Sequence, residues 1–254
     1  MKKRVLFIGP TGRIGKNFVN DYWNHGYNID YELVLGVRNL RKFKEKRFKV
    51  VHADLSKPET LKKAMEGIDT VLNLAANADQ NAEFKDLIEP NIIGIYNLFE
   101  AAVKSKIKRV ITMSSIHAVK GYHEEKLIAE IDAPRPDNFY GATKAFVEAL
   151  SHVYYKKYGL SCLAIRVGAY VSDDLRQKVC MERENYDYII SQRDLAQLFH
   201  KSILAPEKVK FGILSGTSEN KKMRLDLKCT KKLVGYNPED DAYELCEECK
   251  KKGC

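Results

Sequence analysis

The chain has 254 residues, 44% hydrophobic and 10% aromatic, enough to bury one sizeable core and too apolar for a disordered chain. Its 43 basic and 34 acidic side chains leave a net charge of +9, a field that favours anionic ligands. The positive residues are scattered, with no recognition helix or aromatic–basic pattern. Small phosphate-bearing molecules are therefore the expected partners, and nucleic acid is not. No apolar run approaches the roughly 18–20 residues of a membrane span, so no membrane association is expected. The start, MKKRVLFIGPTG, holds only VLFI before a glycine turn. That is too short for a signal peptide, and a soluble cytoplasmic protein is expected.

In chain order, short β-branched runs alternate with longer helical ones. RVLFI (4–8), YELVLGV (31–37), KVVHA (49–53), TVLNLA (70–75), RVITMSS (109–115), SCLAIRV (161–167) and FGILSG (211–216) read as strands. GRIGKNFVNDYW, PETLKKAMEG, NIIGIYNLFEAAVKS and FYGATKAFVEALSHVYYKKYG read as helices. Several strands are apolar at consecutive positions, as parallel strands covered on both faces must be. The alternation predicts an α/β fold, a Rossmann-type doubly wound parallel sheet over residues 1–168. Residues 169–254 are less regular and are expected to form a small cap, with a charged tail, over the carboxyl edge of the sheet. The two regions are compatible with one compact domain.

The first strand runs into Gly9, Gly12 and Gly15, spaced G-x-x-G-x-x-G at the opening of the first helix. Gly9 suits a tight turn, Gly12 a close approach of backbone to a pyrophosphate, and Gly15 the packing of helix on sheet. Free N–H groups at the helix start favour the anion. The stretch from Gly9 to Gly15, with Thr11, Arg13 and Ile14, is the expected dinucleotide cradle. The second strand ends without an acid but with Arg38, followed by Arg41 and Lys42. A guanidinium there can pair with a 2′-phosphate, so NADP is expected over NAD. Asp54 and Leu55 end the third strand, where a carboxylate can reach adenine. Ala75 and Ala76 follow the fourth and leave room for the middle of the cofactor.

Tyr140 and Lys144 lie four residues apart in one helix and so share a face. Together with the glycine turn, NLAA, NIIGIYNLFEAA and the SS ending the fifth strand, this Y-x-x-x-K pair resembles the extended short-chain dehydrogenase/reductase group. The branch it looks like is the NAD-dependent epimerase/dehydratase family, from about residue 4 to 205. Within that branch SSIHAVKGYH and RPDNFYGATKAFVEAL look most like the uronate dehydrogenases, and short sugar dehydrogenases acting at a hexose C1 are similar in size.

The resemblance implies an NAD(P)-dependent oxidoreductase that exchanges a hydride with a sugar hydroxyl, at C1 of an aldose, hexose phosphate or uronic acid. It makes Tyr140 the general base or acid, with its pKa lowered by Lys144, which also holds the nicotinamide ribose. Ser115 orients the reacting oxygen, Ser114 faces the cofactor, and Asn91 positions Lys144 through water. Gly141 and Ala142 let cofactor and sheet approach. His117 and Arg176 are implied substrate contacts, although Ile116 stands where those relatives carry Asn. Arg193 and Asp194 match residues that brace the cap. A homodimer is implied, built on the helices at 91–105 and around Tyr140, where Ile95, Phe99, Val147 and Leu150 serve either the interface or the monomer core.

Two other readings remain. A nucleotide-sugar epimerase or dehydratase retaining bound NAD uses the same Tyr and Lys, but such enzymes carry a longer C-terminal domain. A non-catalytic NADP-sensing protein shares the fold but typically loses the Tyr or Lys.

The six cysteines include Cys162, Cys180 and Cys229, with Cys246, Cys249 and Cys254 in CEECKKKGC. A single C-x-x-C in so charged a stretch predicts a solvated helical tail rather than a zinc or redox site. No metal is expected.

Overall fold

The computed structural model describes residues 2–182 and 185–251. Among the described residues nine strands are formed: β1 (Lys3–Ile8), β2 (Tyr31–Val37), β3 (Lys49–His52), β4 (Thr70–Asn73), β5 (Arg109–Ser115), β6 (Ser161–Val167), β7 (Ala169–Val171), β8 (Ile189–Ser191) and β9 (Phe211–Gly216). The helices are α1 (Arg13–Asn24), α2 (Pro58–Ala64), α3 (Phe84–Leu87), α4 (Gly94–Lys104), α5 (Phe139–Tyr158), α6 (Arg176–Glu182), α7 (Gln192–Leu204), α8 (Lys228–Val234) and α9 (Ala242–Lys251).

Seven strands make one sheet in the order β3-β2-β1-β4-β5-β6-β9, every neighbouring pair parallel. The chain reverses its direction of travel across the sheet between β1 and β4, which opens a crevice at the carboxyl ends of those strands. Consecutive apolar residues in β1 divide between two cores. Val5 and Phe7 join the core under α1 and α7, while Leu6 and Ile8 join the one under α2, α4 and α5. The two-sided burial explains why the strand sequences do not alternate in polarity.

All seven expected strands are present, most with the expected bounds. The short pair β7 and β8, a separate two-stranded sheet, went unread because three residues carry too little pattern. The main sheet crosses the 168/169 boundary, since β9 pairs with β6 along its length. The tail differs from expectation. Cys246 forms a disulfide with Cys180, tying α9 to α6, and Cys246 and Cys249 are buried in a small core with Val171, Tyr186 and Ile189. The stretch is amphipathic: its charges face water while both cysteines face inward. Cys254 lies outside the described residues.

Helix α4 is preceded by a wide π turn over Ile88–Ile93. Pro90 sits inside it, and a proline can neither donate its amide nor fit under the carbonyl four residues back, so the ladder loosens there. Ile95, Phe99 and Val147 are buried in the monomer core and Leu150 packs against it. They belong to the protomer and are not free for a partner. Outward from them lie Ile93, Tyr96 and Val153, each more than a third exposed. Among the described residues no helix is long and apolar enough to cross a membrane.

Candidate active site

The crevice is lined by the turn after β1 (Gly9 to Gly12), the end of β2 with Arg38, the end of β3 (Ala53 to Ser56), the end of β4 (Leu74 to Asn77) and Glu89 and Pro90 of the π turn. Gly9 has φ +100°, and a Cβ on it would stand 2.9 Å from the Ala75 nitrogen. At Gly15 a Cβ would lie 2.2 Å from the Gly9 carbonyl oxygen, so this glycine is needed where α1 meets its own turn more than where it meets the sheet. Gly12 is different. A Cβ there meets nothing nearer than 3.7 Å within the protein, and the room in front of it is crevice. The cradle therefore fits a ligand that approaches backbone closely at a helix N-terminus, as a dinucleotide pyrophosphate does.

Thr11 lines the crevice, whereas the Arg13 side chain turns away from it. Its guanidinium donates to the Tyr170 carbonyl at 3.3 Å and lies over that ring. Ile14 packs against the core, which leaves only its backbone for the cradle. Leu55, Ala75 and Ala76 line the crevice, as does Asp54, whose carboxylate accepts from the amide and hydroxyl of Ser56. Arg38 is exposed at the rim, while Arg41 and Lys42 sit beyond it in a turn capped by Asn39.

Helix α5 starts at Asn138, whose side-chain oxygen accepts the Gly141 amide, and ends at Gly159 in the left-handed region. Its inner face carries Tyr140, Lys144 and Glu148, all buried. The Lys144 ammonium lies 5.3 Å from the Tyr140 ring centroid and donates to the Met113 carbonyl at 3.1 Å. Burial pushes its pKa down to about 8. The expected depression of Tyr140 is reversed in this structure. Burial pushes the phenol above its ordinary value, and a hydrogen bond with Ser115 pulls it only part of the way back. Desolvation is the larger of these two influences and sets the direction.

Ser115 ends β5 and caps the following turn, its Oγ accepting the His117 amide at 3.2 Å. His117 stands edge-on to Tyr140, with ring centroids 5.7 Å apart. Ser114 does not face the cofactor crevice. Strand alternation turns its hydroxyl to Glu148, 2.6 Å away. Arg176 pairs with Asp173 and borders the hollow around Cys180 and Cys246, and no contact among the described residues brings it to Ser115 or His117. Gly141 also serves a different purpose from the one expected, because a Cβ on it would lie 2.2 Å from the His117 carbonyl oxygen.

Asn91 is buried in the π turn. Its side chain accepts from the Asn77 amide and donates to the Asn77 carbonyl and to the Thr143 hydroxyl. It shares a small pocket with Lys144 and with Thr112, whose buried hydroxyl has no partner among the described residues. Arg193 and Asp194 reach Asp240, Glu239 and Ser218 and so tie α7 to the chain before α9. Sequence reasoning missed Asn77, Asn138, Glu148 and Arg166. Glu148 left a signal, an acid one further helical turn beyond Lys144 on the same apolar face.

Nucleotide crevice, glycine cradle and the Tyr140–Lys144–Ser115 group define the class: an NAD(P)-dependent dehydrogenase/reductase on a Rossmann-type fold. The family follows from comparison. The NAD dependent epimerase/dehydratase family model matches residues 5–189, and the chain belongs to that family. L-arabinose 1-dehydrogenase (NAD(P)(+)) of Haloferax volcanii is 31% identical over 211 residues, covering 76% of this chain and 83% of the relative. NAD-dependent glucose-6-phosphate dehydrogenase of the same organism is 27% identical over 264 residues, covering 98% and 97%. The crystal structure of a glucuronic acid dehydrogenase from Chromohalobacter salexigens superposes with a TM-score of 0.83 at 25% identity, over 99% of this chain and 90% of that one.

Proposed function

We propose that this chain oxidises the C1 hydroxyl of a sugar or sugar derivative, with an aldose, a hexose phosphate or a uronic acid as the substrate class, to give a lactone. The observation that carries this reading is the convergence of Tyr140, Ser115 and His117 on one another, with the Lys144 ammonium beside the phenol ring. When bound, the nicotinamide takes up the hydride. The residues of the chain do the rest. Ser115 donates to the reacting oxygen and orients it. Tyr140 removes the hydroxyl proton in its phenolate form, which burial makes scarcer than in a free tyrosine. Lys144 keeps a positive charge beside the phenol and reaches the ribose, and Asn91 positions it through water.

Arg38, which follows β2 with no acid beside it in the sequence, supports a preference for the 2′-phosphorylated cofactor. A homodimer in the cytoplasm completes the reading, with Ile93, Tyr96 and Val153 as exposed apolar positions for the second copy. In a reducing cytoplasm Cys180 and Cys246 would stand as two thiols. The test is a panel of aldoses, hexose phosphates and uronic acids with each cofactor, followed by the absorbance of reduced nicotinamide. Turnover of at least one sugar, faster with NADP than with NAD, is expected. Tightly bound NAD that is never exchanged, with no reduction of added cofactor, would assign the chain to the epimerases instead.

A further inference from the structure

The amide that starts α5 also sets the chemistry of the histidine beside Tyr140. Asn138 Oδ1 accepts the Gly141 N–H at 2.7 Å as the helix cap. That fixes which end of the amide faces His117. Nδ2 is turned outward and stands 3.0 Å from His117 Nδ1. An amide nitrogen only donates, so Nδ1 must accept and carries no proton. In the neutral ring the proton is then on Nε2. Burial, followed by the nearby Lys120, holds His117 below the ordinary imidazole range, while Asp137, 3.8 Å from Nδ1, pulls the other way.

The rest of the residue is fixed just as firmly. Its amide donates to Ser115 Oγ, its carbonyl is pressed against Gly141, and its ring edge meets Tyr140. No bond among the described residues claims Nε2, and that nitrogen is not among the buried atoms without a partner, so it is open to solvent on a ring that stands edge-on to Tyr140.

We propose that Asn138 is a positioning residue that holds His117 as an Nε2–H donor, aimed at an acceptor oxygen of the substrate next to the reacting carbon. The substrate half of this rests on the dehydrogenase reading of the site. The tautomer half does not.

Aspartate at 138 separates capping from tautomer control. Asp and Asn are nearly equal as helix caps, so Asn138→Asp keeps the bond to Gly141 and replaces the donor facing His117 by an acceptor. Nδ1 must then be protonated. Long-range proton–nitrogen spectra of labelled protein report the tautomer directly, with His117→Gln assigning the signals. The wild type is expected to show Nδ1 unprotonated and Nε2 protonated. Asn138→Asp is expected to show a protonated Nδ1 or a higher midpoint of titration. Its KM for the sugar should rise roughly fivefold to tenfold, the loss of one hydrogen bond, with less change in kcat and with cofactor Kd unchanged. Asn138→Ser keeps a cap, lacks the donor, and should fall between the two.

A wild-type His117 protonated on Nδ1, or spectra unchanged in Asn138→Asp, would overturn the proposal. So would a switched tautomer with an unchanged KM. If no sugar is oxidised by the wild type, the dehydrogenase reading fails and with it the substrate half, and the spectra alone then decide the tautomer half.

Discussion

Arg166 grips Glu148 with two hydrogen bonds, Nε to Oε1 at 2.8 Å and Nη2 to Oε2 at 2.9 Å, and both side chains are almost completely buried. Glu148 also accepts from Ser114, while Arg166 donates to the carbonyls of Ala129 and Asp132. One ion pair thus joins α5, the strand that carries Ser115, and the loop between His117 and Asn138. Removing one partner strands the other charge in the core. Glu148→Ala is expected to cost roughly 3–5 kcal/mol, measured by urea unfolding, whereas Glu148→Leu with Arg166→Met should cost much less. Equal losses in both proteins would contradict the assignment of the cost to an unpaired charge.

Lys144 is expected to destabilise the fold it serves. Its folded pKa is about 8 against an ordinary 10.5, so between those values the unfolded chain holds more protons. Stability must therefore rise with pH across that window, and the penalty is fully present below it. Lys144→Met should remove the slope and raise the midpoint of thermal unfolding at pH 7, while abolishing turnover. A variant less stable than the wild type at pH 7 would show that the bond to Met113 outweighs desolvation.

The parts of this molecule that were legible from sequence are those fixed by local rules. Seven strands announced themselves by β-branched runs, and Tyr140 and Lys144 by helical spacing. The environment of each side chain was not legible. Whether Ser114 faces a cofactor or Glu148 depends on which helix crosses its side of β5. Whether Tyr140 is acidified depends on desolvation against one charge, a balance that spacing does not carry. Cys180 and Cys246 are 66 residues apart, and their pairing follows from α9 folding back on α6.

That pairing has a measurable consequence. Closing a loop of 66 residues is worth about 4 kcal/mol in the chain-entropy picture. In protein oxidised after purification, peptide mapping without reductant should find Cys180 linked to Cys246, and Cys246→Ser should lose roughly 2–5 kcal/mol. A protein whose stability is the same with and without a dithiol reductant would contradict a structural role for the bond.

Arg38 is the test of cofactor choice. A charge-assisted bond to a 2′-phosphate is worth about 1.5–3 kcal/mol. Arg38→Ala should therefore lower kcat/KM for NADP by roughly tenfold to a hundredfold and leave that for NAD within about twofold. An unchanged ratio of the two would remove Arg38 from cofactor selection.

The central claim is that the Tyr140 hydroxyl exchanges the substrate proton, and Tyr140→Phe removes that hydroxyl and nothing else. Single-turnover formation of reduced nicotinamide, with the best sugar of the panel, should fall by about 10²–10⁴-fold in this variant while cofactor Kd stays within about twofold. A rate within a few-fold of the wild type would place the proton acceptor elsewhere.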